Sequence, residues 1–141
     1  MARRYLAAGI AGALLLGGLT WRFIEAQWRL DDNQGGAAIA EVVVPPLTEA
    51  ALVGKALFDA NCATCHGKNA AGQEGVAPPL VHRIYEPGHH GDGAFVIAAL
   101  KGVRAHHWPF GDMPPVPGVT RDEVVRIVAY VRELQKANGI Y

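Results

Sequence analysis

The feature that most constrains this chain is a run of five residues that carries both of its cysteines, Cys62-Ala63-Thr64-Cys65-His66. The two thiols lie three positions apart, and an imidazole follows the second directly. This arrangement is typical of covalent haem attachment, in which the thiols form thioethers with the haem vinyl groups and the histidine binds the iron. The motif therefore predicts that Cys62 and Cys65 hold a porphyrin and that His66 is the proximal iron ligand.

The same cysteine spacing also occurs in thioredoxin-like redox sites and as one half of a zinc site. The redox interpretation needs a strand-helix-strand pattern around the pair, and the sequence lacks one. The zinc interpretation needs further ligands, which only the other histidines of the chain could supply. Because a histidine follows the second cysteine directly, the sequence favours covalent haem over both alternatives.

The length and charge of the chain limit the other classes of function. Its 141 residues allow one domain and an additional segment. With 13 basic and 13 acidic residues the chain has no net charge, so no basic excess indicates a nucleic-acid partner. Half of the residues are hydrophobic, and a single run near the N-terminus holds much of the excess.

That run, residues 5–21, contains no charged residue. With its apolar neighbours it approaches the ~20 residues that a helix needs to cross a bilayer. The alternative is a cleaved signal peptide, but bulky and charged residues stand where its cleavage site should be, and the small residues 38–40 lie far downstream. We therefore predict a single-pass anchor over residues 1–25 in a bacterial inner membrane. Arg3 and Arg4 predict a cytoplasmic N-terminus and a periplasmic domain.

Residues 26–47 predict a linker, polar and glycine-containing at first and stiffened by prolines at its end. The predicted domain covers residues 48–141. No segment of it shows the alternation of a strand, and three segments show helical patterns.

The first predicted helix runs from Glu49 to about Asn61, with Thr48 as its N-cap. The second runs from Asp92 or Gly93 to about Val103. The third, Arg121 to Ala137, begins with a capping box and repeats aliphatic residues at helical spacing. Prolines and glycines in residues 104–118 predict a loop.

A bound haem iron needs a sixth ligand or an open position, and this choice separates electron carriers from enzymes and gas sensors. Only Met1 and Met113 are methionines. Met113 lies in a proline-rich loop where no helical pattern requires a methionine for packing. A thioether sulfur favours ferrous iron and occupies the position where oxygen or peroxide would bind. Met113 is therefore predicted as the sixth ligand, with His106 or His107 as the alternatives.

Together these features resemble the class I c-type cytochromes of the small bacterial mono-haem kind, over residues 48–137. The resemblance implies an all-α fold in which the first and last helices cross and the haem lies in a loop-rich core. Gly54 and Phe58 before the motif, with Ile127 and Tyr130 in the last helix, resemble the residues of that crossing.

The resemblance also implies roles for residues around the haem. Pro78, twelve positions after His66, is expected to accept a hydrogen bond from the histidine Nδ1–H through its carbonyl oxygen. Leu80 follows in the same segment. Separately from the resemblance, the donor chemistry of Arg104 and Trp108 predicts that they lie at the haem edge, where the guanidinium or the indole N–H would donate to a propionate.

Two histidine pairs depart from the simplest members of this family. His89-His90 lies in an insertion-like stretch, residues 83–92, and His106-His107 lies in the loop before Met113. Imidazoles suit copper and zinc, so a second metal is one interpretation. Solvated loop histidines are the favoured one, because no spacing in the sequence fixes a ligand geometry.

In function, the resemblance implies an electron carrier or an electron-transfer subunit with one covalently attached haem c, and not an enzyme. The expected partners are the lipid bilayer and membrane redox complexes. A cytochrome bc-type complex would be the donor, and a terminal oxidase or a photosynthetic reaction centre the acceptor. The alternatives are a cytochrome subunit of a periplasmic dehydrogenase and a haem enzyme or gas sensor with a displaceable sixth ligand.

Overall fold

A computed structural model describes residues 36–141, and the predicted membrane anchor lies outside this range. Within the range, no helix is both long enough and apolar enough to cross a bilayer. The described part contains four α-helices: α1 (Glu49–Asn61), α2 (Ala63–His66), α3 (Asp92–Lys101) and α4 (Arg121–Ala137). Two short 3-10 turns cover Lys68–Ala70 and Arg83–Tyr85. Residues 36–141 contain isolated β-bridges but no strand, which confirms the all-α prediction for this domain.

Both long helices begin at the threonines that the sequence predicts. The Thr48 side chain accepts a hydrogen bond from the Ala51 amide at 3.3 Å. At α4, Thr120 Oγ1 accepts from the Glu123 amide at 3.3 Å, and Glu123 Oε2 accepts from the Thr120 amide at 2.8 Å. Such a cap stabilises a helix by about 1 kcal/mol. The predicted bounds of both helices are confirmed.

The first and last helices cross at a glycine. A Cβ atom on Gly54 would lie 2.1 Å from the carbonyl oxygen of Arg126 and 3.0 Å from Cβ of Tyr130. Only glycine permits so close an approach. One turn later the Phe58 ring packs against the Tyr130 ring, with centroids 5.6 Å apart, and both side chains are fully buried. With Ile127 in the same core, the predicted crossing is confirmed.

The helix α3 ends at Lys101, two residues before the predicted end. Gly102 takes a φ of 77°, in the left-handed region that favours glycine, and a Cβ there would lie 2.5 Å from the Met113 carbonyl oxygen. Val103 exchanges two backbone hydrogen bonds of 2.9 Å with Met113. This long-range pairing replaces the last half-turn, although Val103 fits the helical pattern. The loop that follows contains no helix, as predicted.

The second half of the predicted linker packs on the domain. The Glu74 amide donates to the Ala37 carbonyl at 2.9 Å. The Asn138 side chain forms two 2.9 Å hydrogen bonds with the backbone of Val43, one in each direction. The compact domain therefore begins N-terminal to the predicted boundary at Thr48. Proline and glycine content indicates the absence of helix, but it carries no information about such docking.

Replacement of Gly54 tests the crossing. Gly54→Ala is expected to lower the free energy of unfolding by about 3 kcal/mol, because the added methyl collides with the α4 backbone. Gly93→Ala in α3 is the matched control, since a Cβ there meets nothing within 4 Å. It should raise the free energy of unfolding by ~0.5–1 kcal/mol through helix propensity. Urea unfolding followed by circular dichroism measures both, and equal effects would contradict the close crossing.

Candidate functional site

The cysteine and histidine motif begins at Cys62, the C-cap of α1, and continues through the whole of α2. The Cys62 amide donates to the Phe58 carbonyl at 2.8 Å, and the Cys62 carbonyl accepts from the His66 amide at 2.9 Å. The motif is therefore folded as one helical turn attached to the last turn of α1. Cys65 is exposed, Cys62 is half-buried and His66 is buried.

The His66 ring is fixed by one hydrogen bond. Its Nδ1 lies 2.9 Å from the carbonyl oxygen of Pro78, which is the contact that the family resemblance implies. Since a carbonyl only accepts, Nδ1 carries the proton and the lone pair of Nε2 remains for a metal. Burial lowers the pKa of His66, and the bond to Pro78 opposes this in part. The neutral imidazole that an iron ligand requires is therefore favoured.

The Cys62 thiol is not activated for redox catalysis. Burial, assisted by the neighbouring Cys65, raises the pKa of Cys62 to about 11. Thioredoxin-like sites work through a lowered thiol pKa, so the structure opposes that interpretation. Among the described residues, the donor atoms of Cys62, Cys65 and His66 do not form a group of three at ligand spacing.

Gln73, which no sequence pattern marks, supports the motif through its backbone. Its buried side chain donates from Nε2 to the Thr64 carbonyl at 2.8 Å and to the Ala63 carbonyl at 3.1 Å. The carbonyls of a one-turn helix have few helical partners, so a side-chain donor satisfies them. The backbone amide of Gln73 also donates to the Ala77 carbonyl at 2.9 Å, which closes the turn leading to Pro78. One residue thus links the motif to the segment that orients His66.

Met113 is half-buried in a loop with a defined base. Its backbone amide and carbonyl are both paired with Val103. Just inside this pair, the Asp112 carboxylate accepts from the Ala105 amide at 2.8 Å. The loop position of Met113 is thereby fixed by backbone contacts, and its role as the sixth ligand stays a prediction.

Leu80 and Arg104 have different surroundings. Leu80 is half-buried against the hydrophobic core, and its carbonyl accepts from Gln135 Nε2 at 2.8 Å. Arg104 is exposed, and its carbonyl is 2.8 Å from Nδ1 of His106. Leu80 thus contributes to packing, while the predicted contact of Arg104 with a propionate stays a prediction.

Trp108 presents a buried donor without a partner. Its indole packs edge-on against His82 with centroids 5.1 Å apart and stacks on Phe110 at 5.9 Å. The Nε1–H has no hydrogen-bond partner among residues 36–141. Burial raises the pKa of the Tyr85 hydroxyl, and the nearby Trp108 indole N–H opposes this shift in part. The indole nitrogen and the hydroxyl oxygen do not, however, reach hydrogen-bond geometry. A buried donor of this kind normally has an acceptor.

The pairs His89-His90 and His106-His107, which are separated in the sequence, lie next to each other in the structure. The His107 ring centroid is 4.2 Å from that of His106, 5.3 Å from that of His90 and 5.4 Å from that of His89. His89, His106 and His107 are exposed as predicted for loop histidines, but they form one group.

The residues present fit a covalently bound haem. Cys62 and Cys65 supply thiols at the required spacing, and His66 supplies a buried imidazole with Nε2 available. Met113 supplies a half-buried thioether, and the unpartnered indole N–H of Trp108 supplies a donor for an acidic group. This donor set matches the thioether links and the histidine and methionine axial ligands of haem c.

Comparison with known proteins agrees with this fit. The family model for cytochrome c matches residues 51–135, which is more than half of the chain. No curated protein and no solved structure matches it significantly. Proteins of the matched family carry covalently attached haem c.

The support that Gln73 gives to the motif can be measured. Gln73→Leu is expected to lower the free energy of unfolding by about 2 kcal/mol, because it leaves the Thr64 carbonyl without its buried donor, while the Ala63 carbonyl keeps only its bond from the Gly67 amide. Glu74→Leu introduces the same side chain at the exposed neighbouring position and should change it by less than ~0.5 kcal/mol. Urea unfolding of the haem-loaded proteins gives both values. A Gln73 effect as small as the control would show that water replaces the amide.

Proposed function

We propose, from the premise that this chain belongs to the cytochrome c family, that it carries single electrons on the periplasmic side of a bacterial inner membrane. The family consists of electron-transfer haem proteins with covalently attached haem c. Bound haem supplies a reversible one-electron couple between ferric and ferrous iron. The number of haems, the ligands, the membrane tether and the partners are the parts that we propose.

Three residues of the motif would hold the single haem. Cys62 and Cys65 would bind the porphyrin, and His66 would be the proximal ligand. The hydrogen bond from His66 Nδ1 to Pro78 supports this, because such a contact fixes the tautomer and orientation of a ligating imidazole and raises its basicity. Burial of His66 adds to this by excluding water from the ring.

The observation that carries the electron-carrier proposal is the fixed position of Met113. Two backbone hydrogen bonds to Val103 hold the residue, and no helical packing pattern accounts for its half-buried side chain. A methionine ligand raises the reduction potential and fills the position that a haem enzyme or gas sensor leaves open. Met113 as the sixth ligand therefore favours electron transfer over substrate chemistry.

The partners follow from the tether. Residues 1–25 would anchor the domain, and confinement to the membrane raises its effective concentration near membrane complexes, so a small and brief docking interface suffices. We propose a cytochrome bc-type complex as donor and a terminal oxidase or photosynthetic reaction centre as acceptor, with the domain acting as a shuttle or as a subunit of one such complex.

The sixth ligand can be tested by spectroscopy of the haem-loaded protein. The ferric protein should show the weak far-red charge-transfer band that marks methionine ligation in this family, and the ferrous protein should not bind carbon monoxide at neutral pH. Met113→Leu should abolish the band and allow carbon monoxide to bind. His107→Gln, which removes one of the alternative ligands, should leave the band unchanged. A wild-type protein that lacks the band and binds carbon monoxide would indicate the enzyme or sensor alternative.

The tether and partners need a separate test. N-terminal sequencing of the purified chain should show that the mature protein retains residues 1–25. On fractionation of the cells, the protein should sediment with the membranes. A soluble chain that begins near Glu41 would contradict the anchor. Purification from native membranes in mild detergent should bring down a bc-type complex, an oxidase or a reaction centre, whereas a periplasmic dehydrogenase would indicate the subunit alternative.

A further inference from the structure

Two loops that flank α3 place three imidazoles at one point of the surface. His89 and His90 precede the helix, and His107 follows it. One ring nitrogen of each residue lies within 4.8 Å of the corresponding atoms of the other two. Among the residues that the structure describes, His89, His90 and His107 are the three side chains whose ligand atoms lie close enough together to hold one metal ion.

We propose that His89, His90 and His107 form a binding site for a divalent ion of the zinc and copper class, separate from the haem ligands. Neutral imidazole nitrogen suits both ions, whereas calcium and magnesium need oxygen ligands. Three imidazoles would leave a fourth position for water or an exogenous ligand. With metal–nitrogen bonds of ~2.0–2.1 Å, the nitrogens of a tetrahedral site lie about 3.4 Å apart. Because the ring nitrogens lie within 4.8 Å of one another, a closure of at most about 1.4 Å is required, and rotation of the exposed side chains of His89 and His107 would supply it.

His90 is oriented as a metal-binding histidine is. Its Nδ1 lies 2.6 Å from the carbonyl oxygen of Ile84, so this nitrogen carries the proton and Nε2 keeps its lone pair. A second-sphere carbonyl of this kind fixes the tautomer and ring orientation of ligating histidines. The Tyr85 ring packs against the same imidazole with centroids 5.3 Å apart. His90 is thus held in place before any ion binds.

The loop that carries His90 is fixed to α4 by Arg132. The guanidinium donates to the carbonyl of His90 at 2.6 Å and to the carbonyl of Tyr85 at 2.6 Å. Its Nε forms a 2.8 Å ion pair with Asp92, which offsets the positive charge of the guanidinium near the site. A site held by the surrounding structure loses less conformational freedom on binding.

The other side of the site is the loop before Met113. The bond between Ala105 and Asp112 and the pairing of Val103 with Met113 close this loop, so His107 extends from a defined backbone. An ion shared by the two loops would therefore also restrain the segment that ends at Met113.

Calorimetric titration of the haem-loaded, full-length protein without a histidine tag tests the proposal. Haem loading keeps the thiols and His66 from binding the added ion. Zn²⁺ and Cu²⁺ should each bind with one-to-one stoichiometry, and Mg²⁺ should not. His107→Gln and His89→Gln should each weaken binding by ~100-fold or more, since loss of a ligand costs at least as much as loss of its outer-sphere partner. The Cu²⁺ electron paramagnetic resonance spectrum should show coupling to several nitrogens that is reduced in both variants.

His82→Asn is the matched control. His82 lies outside the three-ligand group, and asparagine can keep the side-chain acceptor that caps the Ile84 amide. This variant should bind both ions as the wild type does. The haem spectrum and the metal-free unfolding midpoint of His89→Gln and His107→Gln should match those of the wild type, since both side chains are exposed. Equal affinities in wild type and His107→Gln, or an equal loss in His82→Asn, would overturn the proposal. It does not depend on the proposed electron-carrier function, which the far-red band tests independently.

Discussion

The contact on which the rest of this domain depends is the crossing of α1 and α4 at Gly54. The missing side chain lets the two helices approach until a Cβ would touch the Arg126 carbonyl, and the Phe58 and Tyr130 rings then seal the next turn. Both sites are built outward from this contact. Cys62 continues directly from α1, so the crossing fixes the start of the motif. Arg132, two residues after Tyr130 in α4, holds the loop that carries His90.

The sequence is informative where the physics is local. Helix caps at Thr48 and Thr120 act within four residues, and the cysteine and histidine spacing is set by one helical turn, so both are visible without a structure. The end of α3 is different, because Val103 fits the helical pattern and only its pairing with Met113 ends the helix. Gln73 is invisible in sequence for the same reason, since a buried glutamine has a role only once its backbone partners are in place.

The histidine pairs show the same limit most clearly. Their spacing in the chain fixes no ligand geometry, because α3 lies between the two loops that carry them. Arg132, which fixes the loop that carries His90, lies forty residues along the chain from its ion-pair partner Asp92. A metal site assembled from separate loops in this way depends on the tertiary fold and can be inferred only once the fold is known.

The two proposed sites use one device in different surroundings. In His66 and in His90 the Nδ1 atom is held by a backbone carbonyl and Nε2 is left free. Around His66 burial excludes water, which suits an ion held permanently by a covalently attached porphyrin. The group of His89, His90 and His107 lies at the surface, where an ion can exchange with solvent. In the two proposed sites the same imidazole chemistry would therefore hold a permanent redox centre in one place and an exchangeable ion in the other, and the loop from Val103 to Met113 would take part in both.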